Sequence, residues 1–136
     1  METVLFACVH NAGRSQLAAA WFNRLADPAK ARAISAGTQP AAALHPEVLE
    51  VMREAGLPLP ASAPQRLTPE LAAQATRLIT MGCGEACPVV PGARRDDWPL
   101  PDPKGQSLER VRALREAVRE RVESLLAREG WAAQPR

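Results

Sequence analysis

Tyrosine is absent from the 136 residues, and with two phenylalanines and three tryptophans the aromatic share is 4%. So thin a set of rings excludes a base-stacking surface for nucleic acid. Charge of one sign is equally scarce. The 17 basic and 15 acidic residues leave a formal net charge of +2, no electrostatic footprint for a polyanion. Long hydrophobic runs are missing too: each apolar stretch is a few residues, against the roughly 20 that a bilayer crossing needs. Neither nucleic acid nor membrane is therefore an expected partner. Met1 to Cys8 offers no basic leader and no apolar region long enough for a secretory signal, so the cytoplasm is the expected compartment. Only three cysteines occur, an odd number in a reducing compartment, which speaks against a structural disulfide framework. What is present, 46% hydrophobic and 24% charged, is the balance of a folded globular chain of one domain over 1–136.

Strand and helix signals alternate along the chain. Thr3 to Ala7 is a short apolar run suited to a strand buried on both faces, and His10-Asn11-Ala12-Gly13 follows as a turn. Ser15 to Ala26 reads as a helix, with Leu17, Trp21 and Leu25 four residues apart, and Asp27-Pro28 ends it. Arg32 to Gly37 fits a second strand. Pro46 opens a helix lined by Val48, Val51, Met52 and Ala55, which Gly56 stops. Thr68-Pro69-Glu70 caps a short helix through Gln74, and Thr76 to Met81 is a third strand. Prolines 88, 91, 99, 101 and 103 make the next stretch irregular, with an edge strand expected around Arg94 to Trp98. Ser107 to Arg128 carries a helical stripe of Leu108, Val111, Leu114, Val118, Val122 and Leu125. The tail, residues 130–136, is expected to be loosely held. The pattern predicts an α/β fold of three layers, a four-stranded parallel sheet with helices on both faces. Ligands of such sheets bind beyond the carboxyl ends of the strands, where Cys8 and Cys83 both fall.

Cys8-Val9-His10-Asn11-Ala12-Gly13-Arg14-Ser15 is a Cys-x5-Arg-Ser element between strand and helix. A loop of this length can turn the backbone N–H groups of residues 9–15 inward as a nest for a tetrahedral oxyanion. The following helix adds its free N-terminal donors and the positive end of its dipole. Arg14 can grip two oxygens of the anion with its planar fork, and the same field favours a Cys8 thiolate. Ser15 can donate to that sulfur, and Asn11 is placed to brace the turn. A nucleophile attacking an oxyanion needs a proton donor for the departing oxygen, and Asp102, held between Pro101 and Pro103, is the candidate, with Asp96 and Asp97 as rivals. Cys83 and Cys87, separated by Gly84-Glu85-Ala86, can approach disulfide range if the backbone turns. Zinc would need further ligands, and Cys8, His10 and His45 stand at unsuitable spacing, so no metal is expected. His10 is expected to point outward from the loop, and His45 to be a capping or surface residue.

Together Cys8 to Ser15, Asp102-Pro103 and the strand–loop–helix opening resemble the low-molecular-weight protein tyrosine phosphatase superfamily. Within it the Cys83, Cys87 pair is similar to the thioredoxin-coupled arsenate reductases, as are Ser35-Ala36-Gly37-Thr38, His45-Pro46-Glu47-Val48, Thr80-Met81-Gly82-Cys83 and Trp98 ahead of Asp102. The resemblance implies a phosphatase-like fold and reduction of arsenate to arsenite, an arsenic detoxification. Cys8 would attack arsenic, held by Arg14 and the loop from Val9 to Ser15, and Asp102 would protonate the leaving oxygen. Cys83 would then resolve the adduct and Cys87 take over the disulfide. Reducing equivalents would come from thioredoxin, or from a mycoredoxin or mycothiol-type donor, with no tightly bound cofactor. The relay spacing is shorter than in the best-known branch. Ala19 stands where that branch has a potassium-binding carboxylate, so no potassium site is expected. The alternative is a phosphatase acting on phosphotyrosine or small phosphomonoesters.

Overall fold

The computed structural model describes residues 1–59, 64–82 and 93–133. Its elements in chain order are β1 (Glu2–Cys8), α1 (Arg14–Leu25), β2 (Ala31–Gly37) and α2 (Pro46–Glu54), then α3 (Pro69–Ala72), β3 (Arg77–Thr80), β4 (Arg94–Asp97) and α4 (Leu108–Glu129). Boundaries lie close to the sequence expectation because local chemistry sets them. The Thr68 hydroxyl accepts from the Leu71 amide at 3.1 Å and the Ser107 hydroxyl from Arg110 at 3.2 Å, each relieving a free donor of a first helical turn. Gly56 and Gly130 take the left-handed conformation, φ 77° and 74°, just past α2 and α4.

The four strands are all parallel, in the order β2-β1-β3-β4. β1 is central and faces both ways. Val4 and Phe6 turn to a core built with α1, α2 and α4, including Leu17, Phe22, Val51, Val118 and Leu125. Leu5 and Ala7 turn to the opposite face, which Ala72, Ala75 and Leu78 cover with Leu67 and Leu71. Strand alternation thus sends one short run into two cores. The chain goes from β1 outward to β2 and then returns past β1 to β3, so the order reverses beside β1. That reversal opens a crevice at the carboxyl ends of β1 and β3. β4, at the edge, exposes all of Arg94, Arg95, Asp96 and Asp97, charges that discourage pairing with another chain. Glu54 of α2 accepts from Arg112 and Arg115 of α4, which hold its carboxyl down at about 2 and fix α2 against α4.

The tail departs from expectation over residues 130–133. Gly130 reverses the chain, and the Trp131 amide reaches back to the Leu126 carbonyl at 2.9 Å. Trp131 then meets Phe22 edge-on at 6.2 Å, with the Arg77 guanidinium 5.2 Å from its ring centroid. The Asp27 amide donates to the Trp131 carbonyl at 2.7 Å and the Ala133 amide to Leu25 at 3.0 Å. A lone aromatic in a polar terminus gives no periodicity to read, yet its area is enough to dock the segment. Among the described residues no helix is long and apolar enough to cross a membrane. Replacing Trp131 with Ala is expected to lower unfolding stability by about 2 kcal/mol, given partial burial of a large ring. Urea unfolding checks this: an unchanged midpoint would mean the docked tail contributes nothing.

Candidate active site

Cys8 ends β1, buried at 3% exposure, opposite Gly37 of β2. From there the backbone carbonyls all turn away from the crevice. The Cys8 carbonyl accepts from Thr38 at 3.3 Å, Val9 from Gln39 at 2.8 Å, His10 from Ala41 at 2.9 Å and Ala12 from His45 at 3.1 Å. Asn11 accepts at its carbonyl from the Gln16 side chain at 3.1 Å, and Gly13 from the Leu17 amide at 3.0 Å. In a planar trans peptide the next N–H points opposite to the carbonyl. Carbonyls held outward therefore aim the amides of the following residues at one another across the loop. Among the described residues no acceptor takes the amides from Val9 to Ser15. Seating an anion among such donors needs no further rearrangement of the backbone. Asn11 makes the turn possible in the left-handed region, φ 50°, which asparagine tolerates better than most side chains. Gly37 lies beneath it, where a Cβ would come within 2.6 Å of the Val9 carbonyl oxygen.

The hydrogen bonds around the sulfur have a defined direction. The backbone amide of Gln65, a donor only, gives to Asn11 Oδ1 at 2.9 Å, and Gln16 Nε2 gives to the same oxygen at 3.0 Å. Asn11 Nδ2 must then face Ser15, donating to its Oγ at 2.7 Å. Ser15 Oγ lies 2.9 Å from Cys8 Sγ, where its hydroxyl can donate to a thiolate. A hydrogen-bonded chain from Gln65 through Asn11 and Ser15 thus ends at the sulfur. Asn11 and Ser15 are fully buried, so the links next to the sulfur are shielded from water.

Arg14, first residue of α1, projects beside the loop. Its Nη1 donates to the Leu100 carbonyl at 3.0 Å, and its Nη2 lies 3.9 Å from Asp102 Oδ2. Gly82, at φ 88° after β3, passes so close to the guanidinium that any side chain would collide with it. Gly13 meets Pro103 equally closely, a Cβ there falling 2.5 Å from the proline ring, so the Asp102 segment rests directly on the loop. Asp102 Oδ1 accepts from the Lys104 amide at 3.0 Å, while the side chain remains 46% exposed. A shallow cup results, lined by Cys8, His10, Ala12, Gly13, Arg14, His45 and Asp102. A larger apolar cavity of about 410 Å³ lies behind Asp102 against α4.

The structure therefore brings together Cys8, the loop from Val9 to Ser15, Arg14 and Asp102. The rival carboxylates stay away: Asp97 accepts from Thr80 at 2.5 Å and Asp96 from the Asp97 amide at 3.1 Å, both on β4. Cys83 and Cys87 lie outside the described residues. His10 turns off the loop and donates through Nδ1 to the Gln39 carbonyl at 3.1 Å. His45 differs from expectation. It occupies the N-cap of α2 without capping it through its side chain, and its ring faces the cup instead. Burial lowers its pKa from the ordinary histidine value, with the Asp102 charge opposing the shift. Sequence reading also missed Gln16, Gln65 and Gly82; of these only Gly82, between a strand and Cys83, left a local signal.

The sequence profile of the low molecular weight phosphotyrosine protein phosphatases matches residues 3–132. The chain belongs to this family. A glutaredoxin arsenate reductase of a Synechocystis species is 34% identical over 131 residues, spanning 94% of this chain and 98% of its own. The thioredoxin-dependent arsenate reductase of Corynebacterium glutamicum superposes with a TM-score of 0.79 at 37% identity. That match covers 93% of this chain, which spans only 61% of the Corynebacterium chain. An arsenate reductase solved in a phosphate-binding state gives a TM-score of 0.80 at 32% identity, covering 94% of this chain and 98% of the other.

Two substitutions test the geometry. Ser15→Ala removes a hydrogen bond to an anion and is expected to slow iodoacetamide alkylation of Cys8 at pH 6.5 about tenfold; an unchanged rate would remove Ser15 from the sulfur's support. Gly82→Ala is expected to displace Arg14 and weaken protection of Cys8 by inorganic phosphate, with equal protection in both proteins as the contrary result.

Proposed function

We propose that this chain is an enzyme that reduces arsenate to arsenite through Cys8 and a relay with Cys83 and Cys87. The observation that carries the reading is the ring of inward amides around a buried sulfur with Arg14 and Asp102 at its rim. Its curated and structural relatives named arsenate reductase support the choice of substrate.

The chemistry follows the geometry. The Cys8 thiolate attacks arsenic(V) while the amides from Val9 to Ser15 and the Arg14 fork hold its oxygens. Asp102 gives a proton to the departing oxygen, which leaves as water. The Cys83 thiolate then attacks Cys8 Sγ. The sulfur–arsenic electron pair passes to arsenic, which leaves as arsenite(III), and a Cys8–Cys83 disulfide remains. Cys87 attacks Cys83 in turn, freeing Cys8 and leaving Cys83–Cys87 oxidised. An external dithiol closes the cycle. Thioredoxin, or a mycoredoxin or mycothiol-type donor, fits this role; two relatives carry different donors in their names, thioredoxin and glutaredoxin. The reducing cytoplasm is the compartment in which such a cycle can turn. Support for the first exchange comes from Gly82, which touches Arg14 immediately before Cys83 in the chain.

Phosphate has the same tetrahedral shape and would occupy the same cup, so slow hydrolysis of phosphate esters accompanies this reading. Among the described residues no phenylalanine or tryptophan lines the cup to hold a phenyl ring, which favours the inorganic substrate.

In the Cys87→Ser protein, arsenate is expected to trap a Cys8–Cys83 disulfide that intact-mass and peptide analysis detect, with release of one arsenite per chain. Cysteines left fully reduced, beside rapid turnover of phosphate esters, would establish the phosphatase reading instead. Cys8→Ser is expected to abolish both reactions.

A further inference from the structure

The His45 backbone is pinned to the anion loop, its amide donating to the Ala12 carbonyl at 3.1 Å. Its ring lies against the loop as well, with Cδ2 3.4 Å from the place a Gly13 Cβ would occupy. The residue stands at the N-cap of α2, yet its side chain bonds no amide of that helix. Among the described residues the ring nitrogens have no hydrogen-bond partner, although the imidazole is half-buried and lines the cup with Cys8, Arg14 and Asp102. An imidazole whose nitrogens are free of protein partners at the edge of the cup can turn an N–H toward a bound ligand. The loop that carries the free amides and Arg14 borders the same cup.

We propose that His45 is a further anion-contacting residue, its imidazole N–H donating to the outward oxygen of the tetrahedral oxyanion that the loop amides and Arg14 hold from below. The inference rests on the oxyanion reading of the cup, but not on the cysteine relay. It gives α2 a function at the site: the helix start delivers a donor on the side of the anion that the loop cannot reach. The groups facing the ring are Asp102 and Lys104 from the segment over the cup, Glu47 from α2, and His10 from the loop. Burial opposes the imidazolium and dominates, Asp102 and Glu47 favour it, and Lys104 and any positive charge on His10 oppose it. The ring is therefore neutral at pH 7 and contributes a hydrogen bond there. As pH falls below the ordinary histidine value it gains a proton and adds a charge next to the anion.

The experiment uses the reduced full chain and measures protection of Cys8 from iodoacetamide by inorganic phosphate and by arsenate, from pH 5.5 to 8. Relay cysteines are replaced by serine so that Cys8 alone reports. His45→Ala is expected to weaken protection about fivefold at pH 7, and His45→Gln, which keeps an N–H donor, less than twofold. Protection of the parent, corrected for the charge state of the anion itself, is expected to strengthen further toward pH 5.5, and this added gain is expected to vanish in both variants. The anion-free alkylation rate and the melting temperature monitor the integrity of the loop. Equal protection in the parent and in His45→Ala would overturn the assignment and leave the oxyanion cup standing. So would a loss in His45→Ala that His45→Gln fails to restore. Absence of protection by either anion in the parent would overturn the cup reading itself.

Discussion

The structure depends first on where the carbonyls of Cys8 to Gly13 point. Each is engaged by a donor outside the cup, from the segment following β2, from the Gln16 side chain or from the first turn of α1. Planarity of the peptide then leaves the succeeding amides no choice but to face inward. An anion site of this kind is made by satisfying acceptors elsewhere, and its cost is spread over the whole segment from Thr38 to His45. Gly37, Gly13 and Gly82 matter for the same reason: each lets a second piece of chain come close enough to hold the loop or its arginine in place.

Charge and direction add to this frame. Because a backbone amide can only donate, Gln65 fixes the orientation of the Asn11 side chain, whose Nδ2 then donates to Ser15 Oγ. The amide that braces Ser15 beside the sulfur is thus oriented from more than 50 residues away in the chain, at Gln65. The helix start, Arg14 and this donor chain act on the same small volume. They favour the negative charge of a bound oxyanion. Two anions in one cup would repel, and Asp102, at the rim and half exposed, stands where a proton can enter to relieve that repulsion.

Topology sets the stage on which these contacts occur. With β1 central and the strand order reversing beside it, the ends of β1 and β3 open into one crevice. That single feature brings Cys8, Gly82 and the Leu100–Pro103 segment together. With α2 packed through Glu54 against Arg112 and Arg115, its N-cap residue His45 lies at the cup. The larger apolar cavity behind Asp102 adjoins the cup only at that carboxylate, so the inorganic site and the apolar space are separate environments.

By itself the sequence determined the alternation of strands and helices, the two-faced burial of β1 and the Cys-x5-Arg-Ser loop, because these are written in local periodicity and in residue types at short spacing. Asp102 was already preferred over Asp96 and Asp97 from its proline neighbours and the family resemblance, but its position 3.9 Å from Arg14 is a product of folding. His45, Gln16 and Gln65 were invisible as site residues. Their roles lie in the direction of a ring or an amide toward a partner brought near by folding, and no local pattern encodes that direction. The docking of Trp131 belongs with them, since its contacts to Phe22 and Arg77 join residues that only the tertiary structure makes neighbours.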